Sequence, residues 1–306
     1  MNAARIEQHD LSYSDKPPIL IGASSEAAMA RAVRTIEAAG HRVGDMVMLD
    51  SALNRIEQQI AASAIWLELD RDGGAPMDEV LDYLCRNVTD GRFAAVVSST
   101  AELIDPVSAR IDDGTIELIV EADEAERAAA LAMATTQMGM EQRLSDVASD
   151  QSAARLRQLS DEVSRIAATL ARLSSGPGAV APIIDSVPRA DSPEISVETV
   201  RTVIRARRLR ARYFSEELFA DPAWDMLLDL LQAEIAHLRV PVSSLCIAAA
   251  VPATTALRWL KTMVSEGLFI RRADPHDGRR VFVELAPDTS QALRRYFAEV
   301  GSPAVI

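Results

Sequence analysis

Four arginines near the C-terminal end of this 306-residue chain stand closest to doing chemistry. Arg271 and Arg272 close the run SEGLFIRRA, Arg279 and Arg280 open RRVFVELAP, and DPHDG (274–278) joins the two as a turn by composition. Guanidinium groups paired on a hairpin suit phosphate, which each can grip through a planar fork of donors. Just upstream, Thr254, Thr255, Arg258 and Lys261 set small polar and basic groups beside Leu257, Leu260, Met263 and Val264, the apolar side of a helical stretch. Arginine can meet guanine bidentately and a threonine methyl can meet that of thymine, so Arg258 and Thr255 are the candidates for reading bases. Lys261 is the candidate for holding phosphate. Trp259 reads as a core or interface residue rather than a contact to DNA sugar.

Other chemistry is thin. His9, His41, His237 and His276 are scattered, with no two at metal-ligand spacing. Cys85 and Cys246 each sit in an apolar helical pattern and are expected to be buried thiols. DRDGGAPMDE (70–79) lacks the length and closing glutamate of a calcium loop, and neither a phosphate loop nor a nucleophile elbow is present. The expectation is a protein without catalytic residues, metal or cofactor.

Composition sets the frame. The net charge is −13, with an apolar share of 48% and an aromatic share of 4%, ordinary for a globular protein that leans towards helix. The acid is uneven: residues 196–306 hold 15 Lys plus Arg against 13 Asp plus Glu, leaving 17 against 32 in the remainder. That imbalance argues against indiscriminate coating of nucleic acid. With no apolar run of membrane-spanning length and no signal-peptide core in MNAARIEQHDLSYSD, a cytoplasmic location without membrane contact is expected.

The elements that must position these residues follow from periodicity. Residues 1–16 are polar and irregular, a loose arm. Short apolar runs at 17–24, 45–50, 64–70, 92–100 and 115–121 each precede a helical pattern, as where Ala28, Ala32, Val33, Ile36 and Ala39 keep helical spacing before Gly40. Five strands alternating with five helices predict a doubly wound five-stranded parallel α/β sheet over 17–138. The last helix continues into 139–173, where Leu156, Leu159, Val163, Ile166, Leu170 and Leu173 are spaced 3, 4, 3, 4, 3. That is a coiled-coil seam for a homodimer, or a helix packing back on its own domain. Four prolines and two glycines in 174–194 mark a linker, taken to residue 195.

From 196 to 306 the order is a long helix, a second helix opened by Asp221 and Pro222, two short helices broken near Val251 and Pro252, a hairpin and a closing helix. Two crossing helices followed by a hairpin describe a winged helix-turn-helix, whose second helix enters the major groove while the wing offers arginine to phosphate or the minor groove. From about Arg201 onward the chain resembles the multiple-antibiotic-resistance regulator (MarR) family of dimeric winged-helix repressors. LKTMVSEGLFIRRADPHDGRRVFVELAP carries the likeness, and Asp277 and Arg279 stand at the acid and arginine of that family's wing motif. The resemblance implies that the acid orients the arginine for the minor groove; Ala286 departs from the family's usual threonine. Arg201, Arg205, Arg207, Arg208, Arg210 and Arg212 have no acid among them. They either flank a dimer interface and touch phosphate, or pair with the acidic front half.

By order of elements, the front half resembles the receiver domain of two-component response regulators, whose site needs an acidic pair, an acceptor aspartate, a Ser or Thr and a lysine at the strand ends. Here Ala23 and Ser24 replace the acidic pair, Glu68 stands at the acceptor with Asp70 two residues on, Glu121 or Ala122 replaces the lysine, and Ser98 or Ser99 keeps its type. Too few hard oxygens remain for Mg²⁺, and phosphorylation is not expected. Glu68 is then a fixed negative charge or a solvated strand-end residue. Together these readings predict a homodimeric transcriptional regulator: a phosphorylation-independent pseudo-receiver that senses an unidentified protein or small molecule, joined to a winged helix on double-stranded, near-palindromic operator DNA. The alternative is a protein interaction scaffold without specific DNA binding.

Overall fold

The computed structural model describes residues 18–58, 62, 64–89, 93–111, 116–147 and 195–300, with only the backbone followed at 137–147. The expected arm, the seam formed by Leu156, Leu159, Val163, Ile166, Leu170 and Leu173, and residues 174–194 of the linker lie outside the described residues.

β1 (Ile19–Ala23) is buried at every position, as a strand covered on both faces must be. Ser25 caps α1 (Glu26–Ala38) by accepting from the Ala28 N–H at 3.0 Å, and Gly40, at φ +74°, turns the chain out of it. The alternation continues through β2 (Val43–Met48), α2 (Leu49–Glu57), β3 (Ala64–Leu69), α3 (Ala75–Thr89), β4 (Ala94–Ser99), α4 (Ile104–Ser108), β5 (Glu117–Val120) and α5 (Glu124–Val147). All strand pairs are parallel, in the order β2-β1-β3-β4-β5. This is the expected doubly wound sheet, and its strand order reverses between β1 and β3, where such sheets open a crevice at their carboxyl ends.

Alternation along the central strand sorts its side chains. Ile65, Leu67 and Leu69 join Leu81, Leu84 and Val107 on the side of α2, α3 and α4. Trp66 joins Ile36, Val96 and Leu131 on the side of α1 and α5, so a period of two puts Glu68 on that side as well.

In the C-terminal part, Ser196 caps α6 (Val197–Leu209) and Asp221, with Pro222 at the first position, caps α7 (Pro222–Ile235). α8 (Val242–Ala248) and α9 (Ala253–Ser265) meet at 108° through residues 249–252, with Ala250 in the left-handed region at φ +55°. Gly267, at φ +71°, ends α9 and sends the chain into β7 (Phe269–Ala273), which pairs with β8 (Val281–Leu285) before α10 (Pro287–Val300). A two-residue strand, β6 (Val240–Pro241), adds to β8 and makes the order β6-β8-β7, a strand too short to carry periodicity in the sequence. Met226, Leu231, Leu245, Leu260, Phe269 and Val283 form this core, and Ile104 and Val120 of the sheet unit belong to the same cluster. The two units are therefore packed together. Among the described residues no single helix is long and apolar enough to cross a membrane.

Leu67 is fully buried in the central strand. Leu67→Ala is expected to lower stability by about 2–5 kcal/mol, read as a shift of the urea midpoint.

Candidate functional site

Two polar constellations occupy the ends of these elements. The first fills the crevice at the carboxyl edge of the parallel sheet. Arg127, in the first turn of α5, sets Nη1 at 3.1 Å from Glu68 Oε1 and Nη2 at 2.6 Å from Oε2. Its Nη1 also donates to Ser98 Oγ at 2.9 Å, its Nε to Thr35 Oγ1 at 2.9 Å, and its guanidinium lies 5.1 Å from the Trp66 ring centroid. Glu68 further accepts from Trp66 Nε1 at 2.8 Å and from Arg31 Nε at 3.3 Å. Beside it, Asp70 accepts from Ser24 Oγ at 2.7 Å, Ser25 Oγ at 2.6 Å and Arg31 Nη2 at 3.3 Å. Burial pushes the Asp70 carboxyl up, but the hydrogen bonds from Ser25, Ser24 and Arg31 outweigh it and hold the group below its ordinary value.

Glu68 is thus not a solvated strand-end residue. It is 3% exposed, and the reason is topological: β3 is the middle strand, and α1 and α5 each bring an arginine over it. The structure brings Ser24, Glu68 and Ser98 together as expected, with Ala23 buried beside them, and adds Arg31, Asp70 and Arg127. Where sequence reasoning found nothing to balance a negative charge, two guanidinium groups do so. Their only sequence signal was arginine on the helices flanking the sheet; which carboxylate they meet depends on the fold.

The second constellation is the face formed by α8, α9 and the hairpin, and the sheet unit is seated on it. Thr254, in the first turn of α9, is 2% exposed; its Oγ1 accepts from the Val120 N–H at 2.9 Å and donates to the Val120 carbonyl at 3.2 Å. It closes the edge of β5, the outermost strand on that side. Arg258 Nη2 lies 2.6 Å from Glu117 Oε1. Arg279 holds both oxygens of Asp72, at 2.8 and 2.6 Å, and its Nε lies 3.4 Å from Asp78. These bonds, joined by the Gly74 N–H, hold the Asp72 carboxyl below its usual range. Arg271 donates to the carbonyls of Ser108 and Ile111. Ser243, on α8, donates its N–H and hydroxyl to Asp105 at 2.9 and 2.5 Å. Between the units a cleft of about 520 Å³ remains, walled by Ile111, Ile116, Leu118, Leu257, Leu260 and Val264.

Thr255 is half-buried and Lys261 exposed on the same helix; Trp259, expected in a core or interface, is 39% exposed. Arg272 pairs across the hairpin with Glu284 at 3.2 Å. Asp277 receives the backbone N–H of Arg279 at 3.0 Å and the side chain of Arg280 at 3.3 Å, so it shapes the wing turn while the Arg279 guanidinium reaches away to Asp72. Of the arginines of 201–212, Arg207 bonds Asp225 at 2.7 Å within its own unit. Arg258 and Arg279 pair with acids of the front half. Glu117, Asp72, Asp78 and Asp105 were missed, and the excess of acid in the front half was their only trace. Cys246 is buried, its thiol pushed up to about 12 by burial and by Asp105, whereas Cys85 is half-buried. Among the described residues no group of three or more His, Cys, Asp or Glu could hold a metal ion.

No family model and no curated protein matches the chain. Solved structures similar to part of it include two transcriptional regulators. One is Bordetella bronchiseptica BpsR, described for the regulation of its DNA binding by 6-hydroxynicotinic acid, at 18% identity over 32% of this chain and 71% of that one, TM-score 0.22. The other is the transcriptional regulator Tm0710 from Thermotoga maritima, at 19% identity over 34% and 76%, TM-score 0.21.

Removing one partner of a buried ion pair strands the other. Arg127→Met is expected to destabilise the protein by about 3–5 kcal/mol, and Glu68→Leu with Arg127→Met by less than either single change, as a denaturant double-mutant cycle will show.

Proposed function

We propose that the chain is a sequence-specific DNA-binding transcriptional regulator acting as a homodimer on near-palindromic operator DNA. The observation that carries this reading is the helix pair α8 and α9, crossing at 108° and followed by a hairpin, with Arg258 and Lys261 on α9 and Arg279 and Arg280 at the hairpin turn. α9 is the helix that enters the major groove. Thr255 and Arg258 read base edges, Lys261 holds phosphate, and Arg279 and Arg280 reach the backbone or minor groove from the wing. Leu209, Tyr213, Phe214 and Leu218 expose an apolar run at and beyond the end of α6, which supports pairing with a second copy.

The sheet unit is a pseudo-receiver that works without phosphoryl transfer. Supporting this, the residue at the acceptor position is a glutamate whose two oxygens are engaged by Arg127, and the neighbouring Asp70 is engaged by two serines and Arg31. Each oxygen of the two carboxylates accepts at least one side-chain hydrogen bond. The effector is a protein or a small molecule.

Genome-wide recovery of DNA bound to the native protein tests the reading against Lys261→Glu with Arg280→Glu, two exposed positions on α9 and the wing. The expected outcome is a set of near-palindromic sites lost in the variant. Purified native protein should bind such a site with an affinity that falls steeply as salt rises. Recovery of the same DNA by both forms, or of none by either, moves the assignment to a protein interaction scaffold.

A further inference from the structure

Four of the residues assigned to DNA, Thr254, Arg258, Arg271 and Arg279, hold the sheet unit. Thr254 is enclosed against Val120, Arg258 is taken by Glu117, Arg279 by Asp72 and Asp78, and Arg271 by the carbonyls that follow α4. A phosphate uses the same fork of N–H donors as a carboxylate, so no arginine can serve both at once. The steric case is stronger. A helix that reads bases must enter a groove about 12 Å wide, and the N-terminal turn of α9 cannot enter it while β5 lies bonded to Thr254.

We infer that the sheet unit is an intramolecular competitor for DNA: Asp72, Asp78 and Glu117 occupy the places of phosphates, and the reading face of α9 and the wing is closed until the two units separate. This rests on the DNA-binding reading above. The contact is built to part. Its charge pairs are partly exposed, with Arg258 at 49% and Asp72 at 50% side-chain exposure, so water and salt compete for them. Its apolar part, Ile104, Val120 and Leu118 against the helix pair, leaves the 520 Å³ cleft unfilled. Interfaces between units of one chain that are small and polar permit relative motion.

The test uses the full chain carrying Asp72→Asn and Glu117→Gln, which removes the competing charges without adding cations. Glu37→Gln with Glu57→Gln, exposed acids on α1 and α2 away from the contact, makes the same change in net charge. A mixed-sequence DNA duplex at low salt is the probe, and deuterium uptake along β5 and α9 is read in parallel. The expected result is that the Asp72/Glu117 variant binds the duplex on the order of tenfold more tightly than the native chain and the control, because a larger fraction is competent, with faster exchange on both elements. Exchange and affinity unchanged from the control overturn the inference. Faster exchange without duplex binding by any form keeps the contact between the units but overturns the DNA-binding reading itself.

Discussion

A guanidinium removed from water must meet oxygen acceptors in its own plane, and in this chain that requirement joins the parts together. Arg127 meets it with Glu68 under α5, Arg258 with Glu117 across the units, and Arg279 with Asp72 and Asp78 at the wing. Carboxylate and phosphate present nearly the same edge to that fork. A molecule that is acidic in front and arginine-bearing behind can therefore satisfy the arginines of its helix pair and hairpin internally, and the net charge of −13 leaves acid in excess.

The same pairing has opposite consequences at two depths. The Glu68–Arg127 pair is enclosed, with side-chain exposures of 4% and 10%, and every nitrogen of the guanidinium is bonded. Opening it leaves a charge without water, so it behaves as part of the core and ties α5 to the central strand. The Arg258–Glu117 pair is half in solvent, where an ion pair contributes about 0–1 kcal/mol. The first therefore holds one conformation, and the second allows two. This difference is what lets a sheet unit stay folded while its contact with the helix pair exchanges against another anion.

The crevice between β1 and β3 is filled by protein side chains. Ser24 bridges to Asp70 and the Arg71 side chain donates to the Ser24 carbonyl at 2.8 Å, so the loop after β1 is bonded to the end of β3. These bonds brace the carboxyl edge of the sheet between β1 and β3.

The sequence by itself determined the alternation of strands and helices, the helix start at Asp221 and Pro222, the crossing pair and the hairpin, because apolar periodicity and cap residues act over a few positions. The arginines and threonines of α9 and the wing were legible for the same reason, as was the lack of an acidic pair at Ala23 and Ser24. Tertiary structure alone decided that Glu68 is buried, since a glutamate looks the same in sequence whether its strand is central or at an edge. It alone decided that Thr254 closes β5 and that Arg279 turns to Asp72, contacts between residues 134 and 207 positions apart. Local pattern fixes which groups a surface carries; what those groups meet depends on how whole units pack, and no short-range signal encodes that.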